Sequence, residues 1–211
     1  MARVVALCLA PQNSQTSVGL YRNAIFKEAV GMAIDFIESW HDHPQLIEAF
    51  AERLQVALSK LGKESGVVFT AHSVPSRTIA DGDAYEQQAR ETASLVARLA
   101  GLRDSEWVFA FQSQGMSGGP WLGPTVEETL RHLKQEGYAR ALIQPVGFVC
   151  DHVEVLYDID IGFRDYASQI GLETSRTESL NDSPTFIAAL ADLVRKRLQR
   201  HASAPHTTAC G

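Results

Sequence analysis

The stretch GVVFTAHSVP at residues 66–75 decides the fold class. Residues 67–71 form a run of strand length that is apolar except for Thr70, and Gly66 separates this run from the polar residues before it. A strand that is apolar on both faces is typical of a parallel sheet covered by helices on each side. The run ends in His72 and Ser73. The stretch therefore predicts a buried parallel strand whose carboxyl end carries polar side chains.

Similar apolar runs alternate with segments of helical period along the chain. This alternation predicts an α/β protein with a Rossmann-like, three-layer parallel sheet. The other predicted strands are residues 4–10, 34–40, 107–111 and 141–149. Helices are predicted over residues 20–33 and 46–61, from the capping-box pairs Asp83/Glu86 and Thr125/Glu128, after Asp151, and from Ser183-Pro184 onward.

The composition is that of an ordinary globular chain. Of the 211 residues, 45% are hydrophobic and 21% are charged, and the formal net charge is −6. A negative net charge argues against general nucleic-acid binding, and no apolar run approaches the roughly 20 residues of a membrane span. The cysteines, Cys8, Cys150 and Cys210, lack CxxC spacing. They argue against a disulfide framework and indicate a reducing, cytoplasmic compartment.

Chemically unusual segments follow three of the predicted strands. His72-Ser73-Val74-Pro75 follows the strand at 67–71, QSQG followed by PWLGP follows the strand at 107–111, and VGFVCDHVE closes the run that begins at residue 141. Ligands of open parallel sheets bind beyond the carboxyl ends of the strands. If these strands are neighbours, a histidine, an aromatic side chain and carboxylates converge at one edge, a setting suited to a transition metal and a flat aromatic ligand.

These segments together resemble the ferrochelatase family. The blocks are AHSVP at 71–75, Gln112-Ser113 with GPWLGP at 119–124, and PVGFVCDHVEVLYD at 145–158, in the family's order. Leu9-Ala10-Pro11 with Ser14, Ser17 and Tyr21 is similar to an earlier block, and Glu38-Ser39-Trp40 followed by Pro44 is also family-like. The resemblance covers roughly residues 4–198.

The resemblance implies a two-lobed chelatase that inserts ferrous iron into a bent porphyrin, either protoporphyrin IX or coproporphyrin III, in heme biosynthesis. It implies that His72 and Glu154 are the catalytic pair and bind the metal, facing each other across the tetrapyrrole edge. An imidazole can bind ferrous iron or accept a proton, and a carboxylate can take the other role. Which group does which stays open. Asp158 would extend the metal path, whereas Gly162 stands where the family often has another acid, and Asp165 is a possible substitute.

The resemblance also implies porphyrin contacts from Ser14, Ser17, Tyr21, Trp121 and Phe148. Simpler structural roles stand beside these. The two serines could cap a helix, and Trp121 could be a core residue.

Two acidic segments have structural alternatives as well. Glu154 could close a capping box with Asp151, and Asp151 could instead orient His72 or His152. His41-Asp42-His43 is predicted to be a solvated loop rather than a metal cluster, since adjacent side chains rarely point the same way.

The resemblance divides the chain into a partial N-terminal lobe at 1–62, a C-terminal lobe at 63–200 and a flexible tail at 201–211. It implies that the front of the first lobe is absent, which leaves a sheet edge that a second copy of the chain could cover. The alternative function is a non-catalytic porphyrin- or metal-binding module. No cofactor is expected beyond the substrate iron, since Cys210 alone cannot hold an iron–sulfur cluster.

Overall fold

The computed structural model describes residues 3–61, 65–115 and 119–202. The strands are β1 (Arg3–Leu7), β2 (Ala33–Ile37), β3 (Ser65–His72), β4 (Trp107–Gln112), β5 (Arg140–Pro145) and β6 (Glu173–Arg176). The α-helices are α1 (Val18–Glu28), α2 (Pro44–Leu61), α3 (Ser76–Ala80), α4 (Tyr85–Ala100), α5 (Val126–Gln135), α6 (Arg164–Gln169) and α7 (Pro184–Ala202). A π-helix spans Val155–Phe163, and a 3-10 turn spans Asp104–Glu106.

Two separate parallel sheets confirm the predicted α/β class. The larger sheet has the order β4-β3-β5-β6, and the smaller one pairs β1 with β2. Successive side chains of a strand point to opposite faces. Val67, Phe69 and Ala71 of β3 accordingly join the core beneath α2, α4 and α7, whereas Val68 joins the core beneath α5, α6 and the π-helix. His72 lies four residues after Val68 and so belongs to the π-helix face.

Several predicted boundaries are wrong, and each has a local cause. β1 ends at Leu7 and β5 at Pro145, because in both places the chain leaves the sheet to form a loop over its carboxyl edge. After β5, the N–H groups of Val146 and Gly147 both donate to the Thr70 carbonyl. The short helix α3 and the strand β6 were not predicted, since β6 reads ETSR and has no apolar run.

The two predicted capping boxes have different outcomes. The side chains of Thr125 and Glu128 do bond each other's backbone N–H groups at the start of α5. The Asp83/Glu86 box is wrong, because Asp83 accepts hydrogen bonds from the N–H groups of Tyr85 and Gln15 instead. Asp83 therefore joins a distant loop to the start of α4 rather than closing a box with Glu86.

The predicted domain boundaries stay predictions. Helix α2 precedes the boundary at 62/63, yet it packs with α4 and α7 against the larger sheet, and residues 62–64 lie outside the described residues. Helix α7 reaches Ala202, two residues into the predicted tail, and the remainder of that tail with Cys210 is outside the description. No helix within the described ranges has the length and apolar character needed to cross a membrane.

Candidate active site

A cavity of about 580 Å³ opens at the carboxyl ends of β3 and β5, within the roughly 300–1,000 Å³ typical of ligand pockets. Three chain segments and Trp121 form its walls: residues 9–17 with Tyr21, residues 72–75 with Tyr85, and residues 147–154. The cavity brings together seven residues predicted from the sequence, namely Ser14, Ser17, Tyr21, His72, Trp121, Phe148 and Glu154.

His72 is held with one ring nitrogen directed at the backbone and the other near Glu154. Its Nδ1 lies 2.6 Å from the Ser73 carbonyl oxygen. A carbonyl only accepts, so Nδ1 carries the proton, and the lone pair of the neutral ring is on Nε2. Nε2 lies 3.9 Å from Oε2 of Glu154, and the two side chains are 36% and 49% exposed. Metal-binding histidines are usually oriented in this way: one ring nitrogen, here Nδ1, donates to a carbonyl, and the other is left for the metal.

The expectation that His72 and Glu154 face each other across the porphyrin is wrong. A flat macrocycle between two groups needs about 3.5–4.0 Å of clearance on each face. The whole Nε2–Oε2 separation is only 3.9 Å. The pair therefore lies on one side of any bound macrocycle, where both groups can act on the same face.

Glu154 directly precedes the π-helix and does not close a capping box with Asp151. The Asp151 carboxylate instead accepts hydrogen bonds from Ser179, Asn181 and Arg176 at 2.7, 3.0 and 3.3 Å. Hydrogen bonds from Asn181 and Ser179, with a further contribution from Arg176, hold the pKa of Asp151 below its usual range despite partial burial. Asp151 thus orients neither His72 nor His152, and the Glu154 carboxylate is left to the cavity.

Asp158 is not brought together with His72. It lies in a neighbouring cavity of about 620 Å³ and contacts the Ser113 hydroxyl. Gly162 lines the same second cavity, whereas Asp165 is exposed and lines neither of the two. The predicted row of acids is therefore divided: Glu154 lines the first cavity and Asp158 the second. Asp165 does not replace the acid that the family often has at the position of Gly162.

Residues 9–17 form a wall, called the loop wall below, which is fixed by buried hydrogen bonds. Gln12 is 2% exposed, and its Nε2 donates to Thr92 Oγ1 and to the Val146 carbonyl, both at 3.1 Å. The Ser14 hydroxyl donates to Asp83 Oδ2 at 3.1 Å, so this serine positions the loop and caps no helix. Ser17 does occupy the N-cap position of α1, although its side chain makes no capping bond.

Aromatic side chains line the cavity beside His72. Phe148 contacts the His72 ring edge-on at 6.4 Å between centroids and the His152 ring at 4.7 Å. Trp121 packs so closely over Gly115 that a Cβ there would lie 2.7 Å from the indole. Trp121 is therefore at once a packed residue and a cavity wall.

Sequence reasoning missed Gln12, Asp83 and Tyr85 as parts of this site. Tyr85 lines the cavity beneath His72. Burial raises the pKa of its hydroxyl, more than a hydrogen bond with the His72 backbone lowers it, and the phenol stays neutral. No local motif signals these three residues, because their partners are distant in the sequence. Asp83 bonds Ser14 across 69 positions, and Gln12 bonds Val146 across 134 positions.

The HDH segment is a loop in which Asp42 is exposed as predicted, but the two histidines are not. His43 is 8% exposed, and its Nε2 lies 2.9 Å from Asp192 Oδ2. His41 bonds Ser39 through Nδ1 and Glu91 through Nε2. Within the described part of the chain, no group of three or more His, Cys, Asp or Glu side chains is placed to hold a metal ion. His72 and Glu154 at the cavity are accordingly a group of two potential metal ligands.

Two solved structures share this fold over most of the chain. The sirohydrochlorin chelatase SirB from Bacillus subtilis subspecies spizizenii, in complex with cobalt, gives a TM-score of 0.61 at 10% identity over 94% of this chain and 70% of its own. SirB from Bacillus subtilis with Fe3+ gives a TM-score of 0.63 at 13% identity over 92% and 71%. At such identities the likeness concerns the fold alone, and it confirms the predicted Rossmann-like α/β fold.

Sequence comparison gives the family. The family model Ferrochelatase matches residues 1–198. The ferrochelatase of Acidobacterium capsulatum is 52% identical over 95% of this chain and 67% of its own length. The ferrochelatase of Deinococcus radiodurans and the coproporphyrin III ferrochelatase of a Geobacillus species are both 40% identical over 92% of this chain, and over 64% and 65% of their own lengths. This chain spans about two thirds of these relatives, and it belongs to the ferrochelatase family.

Proposed function

We propose that this chain inserts ferrous iron into a porphyrin as a step of heme biosynthesis in the cytoplasm, with His72 and Glu154 as the catalytic pair. The observation that carries the proposal is the 3.9 Å separation of His72 Nε2 and Glu154 Oε2 at the wall of a 580 Å³ cavity. Relatives named for ferrochelatase and for coproporphyrin III ferrochelatase both support it.

The metal step follows from the spacing of the pair. A divalent ion of zinc's size binds imidazole nitrogen and carboxylate oxygen at about 2.0–2.2 Å, so one ion can bridge atoms 3.9 Å apart with a bent geometry. Two protein ligands leave the remaining coordination positions for water or for pyrrole nitrogens. A site with so few ligands releases its ion more readily than a closed four-ligand site would, as transfer to a macrocycle requires.

The proton step uses the same two groups. Entry of one Fe2+ displaces two pyrrole N–H protons, so charge is conserved. As the ion moves to the macrocycle, the His72 Nε2 lone pair and a Glu154 oxygen become free, and each can accept one of the departing protons. Both side chains are partly exposed, so the protons can pass on to solvent. Because the pair lies on one side of the cavity, iron entry and proton removal occur at the same face of the porphyrin.

The porphyrin would lie between the loop wall and residues 147–154, with Ser17, Tyr21, Trp121 and Phe148 against it. Iron is a substrate in this proposal, and no further cofactor or iron–sulfur cluster is required. A homo-oligomer that covers the exposed apolar side chains near the smaller sheet, such as Val4, Val30 and Met32, belongs to the proposal as well.

Anaerobic incubation of the purified chain with ferrous or zinc ion and either protoporphyrin IX or coproporphyrin III tests the proposal through the porphyrin absorption spectrum. We expect His72→Ala and Glu154→Gln each to lower the metallation rate about 100-fold or more, the range of general acid–base contributions. The porphyrin that the wild-type chain metallates faster identifies its substrate.

His132→Ala and Glu136→Gln serve as matched controls, because these residues form an exposed ion pair at the C-terminal end of α5, outside the cavity. Their rates should equal the wild-type rate. Porphyrin binding without metallation by the wild-type chain would favour the non-catalytic module instead. Metallation that persists in both site variants would disprove the role of the pair.

A further inference from the structure

Arg176, the last residue of β6, contacts both ends of the segment that carries Glu154. Its side chain is 13% exposed. The Nε and Nη2 atoms donate to Asp160 Oδ1 and Oδ2 at 2.8 and 3.0 Å. The Nη1 atom donates to Asp151 Oδ1 at 3.3 Å. Asp151 lies three residues before Glu154, and Asp160 lies six residues after it, inside the π-helix.

The contact with Asp160 is the paired, two-bond geometry that only an arginine side chain offers a carboxylate. Because the guanidinium is largely buried, this ion pair is screened less by solvent than an exposed pair would be. It fixes both the position and the rotation of the π-helix relative to β6.

The contact with Asp151 belongs to a small network. Nη1 of Arg176 also donates to the Thr177 carbonyl and to the Ser179 hydroxyl oxygen, both at 3.1 Å. Asn181 donates to Asp151 Oδ2 and accepts from the Asp151 backbone N–H. Asp151, three residues before Glu154, is therefore bonded to the segment after β6 through both its side chain and its backbone N–H.

We propose that Arg176 is a positioning residue for the metal site, which holds residues 151–160 in the register that presents Glu154 to His72. A π-helix is a less favourable helix than an α-helix, and it persists where its surroundings impose it. A change of one residue in helical register turns a side chain by about 100°, which would move the Glu154 carboxylate away from His72 Nε2. The inference rests on the proposed role of the pair.

Arg176→Lys tests this inference, because lysine keeps the charge and loses the two-bond geometry. At saturating porphyrin, we expect the KM for zinc to rise about 10-fold, the size of effect typical of groups that orient metal ligands. The Kd for porphyrin should change less than the KM for zinc, since the loop wall, which forms the other side of the cavity, is intact. Hydrogen–deuterium exchange of residues 151–163 should become faster. Asp160→Asn should give the same three results, and it replaces Arg176→Lys if that variant fails to fold.

Arg140→Lys is the matched control. Arg140 also links β5 to β6 through Glu173, at 3.1 Å, but at the opposite end of these strands from the cavity. It should leave the KM for zinc and the exchange of 151–163 unchanged. An unchanged KM for zinc in Arg176→Lys and Asp160→Asn, beside an active wild-type chain, would overturn the inference.

Equilibrium titration with zinc alone separates this inference from the proposed function. If the wild-type chain binds zinc through His72 but metallates no porphyrin, the proposed function fails. A lower zinc affinity in Arg176→Lys than in Arg140→Lys would still support the positioning role, and equal affinities would overturn it. His72→Ala gives the affinity that remains without the site.

Discussion

The two walls of the cavity are held in place by different chemistry. The loop wall, residues 9–17, is fixed by single hydrogen bonds from amide and hydroxyl donors, with Gln12 bonded to Thr92 and Val146 and Ser14 bonded to the Asp83 carboxylate. The opposite wall, residues 147–163, is called the helix wall, and it is fixed by an ion network. In the helix wall, Arg176 binds Asp151 and Asp160 at once.

This difference suits the task of each wall. Under the proposed function a macrocycle needs a wall of fixed shape, and the buried amide and hydroxyl bonds of the loop wall supply that shape. The helix wall carries the Glu154 carboxylate, and in the proposed metal transfer a displacement of this group by about 1 Å would already slow the reaction. A planar guanidinium with several donors sets direction better than a single neutral bond does. The walls meet at Val146 and Gly147, where Gln12 bonds one residue and β3 packs against the next.

Gly147→Ala should disturb both walls, and it gives the largest expected effect. A Cβ at this position would lie 2.9 Å from Ala71 Cβ and 3.0 Å from Ala71 Cα, so the backbone after β5 must move away from β3. Overpacking of this kind costs about 2–3 kcal/mol. We expect that loss in the free energy of unfolding measured with urea, together with weaker porphyrin binding and slower metallation.

Gly162→Ala is the control for this steric argument. Gly162 lies in the π-helix, and the nearest atom to an added Cβ is the Tyr157 carbonyl oxygen at 3.8 Å, an ordinary contact. The free energy of unfolding of Gly162→Ala should not fall below the wild-type value, since glycine within a helix is less favourable than alanine by about 0.5–1 kcal/mol. Equal losses in the two variants would show that the close approach at Ala71 is not what makes Gly147 necessary.

Gln12→Ala should affect the loop wall and not the helix wall, since it removes the two hydrogen bonds that Gln12 Nε2 donates. Loss of buried hydrogen bonds should lower the free energy of unfolding by about 1–2 kcal/mol. Porphyrin affinity, followed by fluorescence quenching, should fall several-fold, whereas zinc affinity at His72 and Glu154 should not change.

Gln15→Ala is the matched control on the same loop, because the Gln15 side chain is exposed while its backbone N–H keeps the bond to Asp83. Both affinities should match those of the wild-type chain. A fall in zinc affinity in Gln12→Ala equal to its fall in porphyrin affinity would mean that the walls are not held independently.

The larger sheet could be predicted from the sequence because its strands are buried on both faces. Residues 67–71 show no alternation of apolar and polar side chains, and in the structure β3 has helices on both sides. β6 could not be predicted in this way, since its four residues are polar and lie at the sheet edge. The acids at 154 and 158 looked like one row because an α-helix was assumed. A π-helix changes the turn per residue, and Asp158 lies in another cavity.

The candidate site likewise contains residues that could be predicted from the sequence and residues that could not. His72, Phe148 and Glu154 lie in contiguous motifs, and motif order alone indicated them. Gln12 fixes the loop wall and Arg176 contacts the segment that carries Glu154, each from a distant part of the chain. Each reads as an ordinary polar residue beside its sequence neighbours. Positioning of this kind depends on tertiary contacts that no local pattern encodes. The wrong prediction that the porphyrin lies between His72 and Glu154 has this cause as well. A motif indicates which residues act but not on which side of the ligand they lie.

The smallest expected effect is a pH dependence of the free energy of unfolding that differs between the two walls. The pKa of Asp151 in the folded chain lies below its ordinary value of 3.8, so its contribution to stability is present above pH 3.8 and is lost as the pH falls through the folded pKa. Asp151→Asn should therefore be less stable than the wild-type chain at pH 7, and this difference should shrink toward pH 3. Because the side chain is 37% exposed, solvent screening keeps the difference below about 1 kcal/mol.

Urea unfolding of both variants at pH 7 and pH 3 would check this contrast. The Gln12 amide does not ionise, so the deficit of Gln12→Ala relative to the wild-type chain should be the same at both pH values, whereas that of Asp151→Asn should narrow. Asp165→Asn, at an exposed site outside the network, provides the baseline for loss of an aspartate. A deficit of Asp151→Asn that stays constant down to pH 3 would mean that its hydrogen bonds, and not its charge, hold the helix wall, and the two walls would then be alike in chemistry.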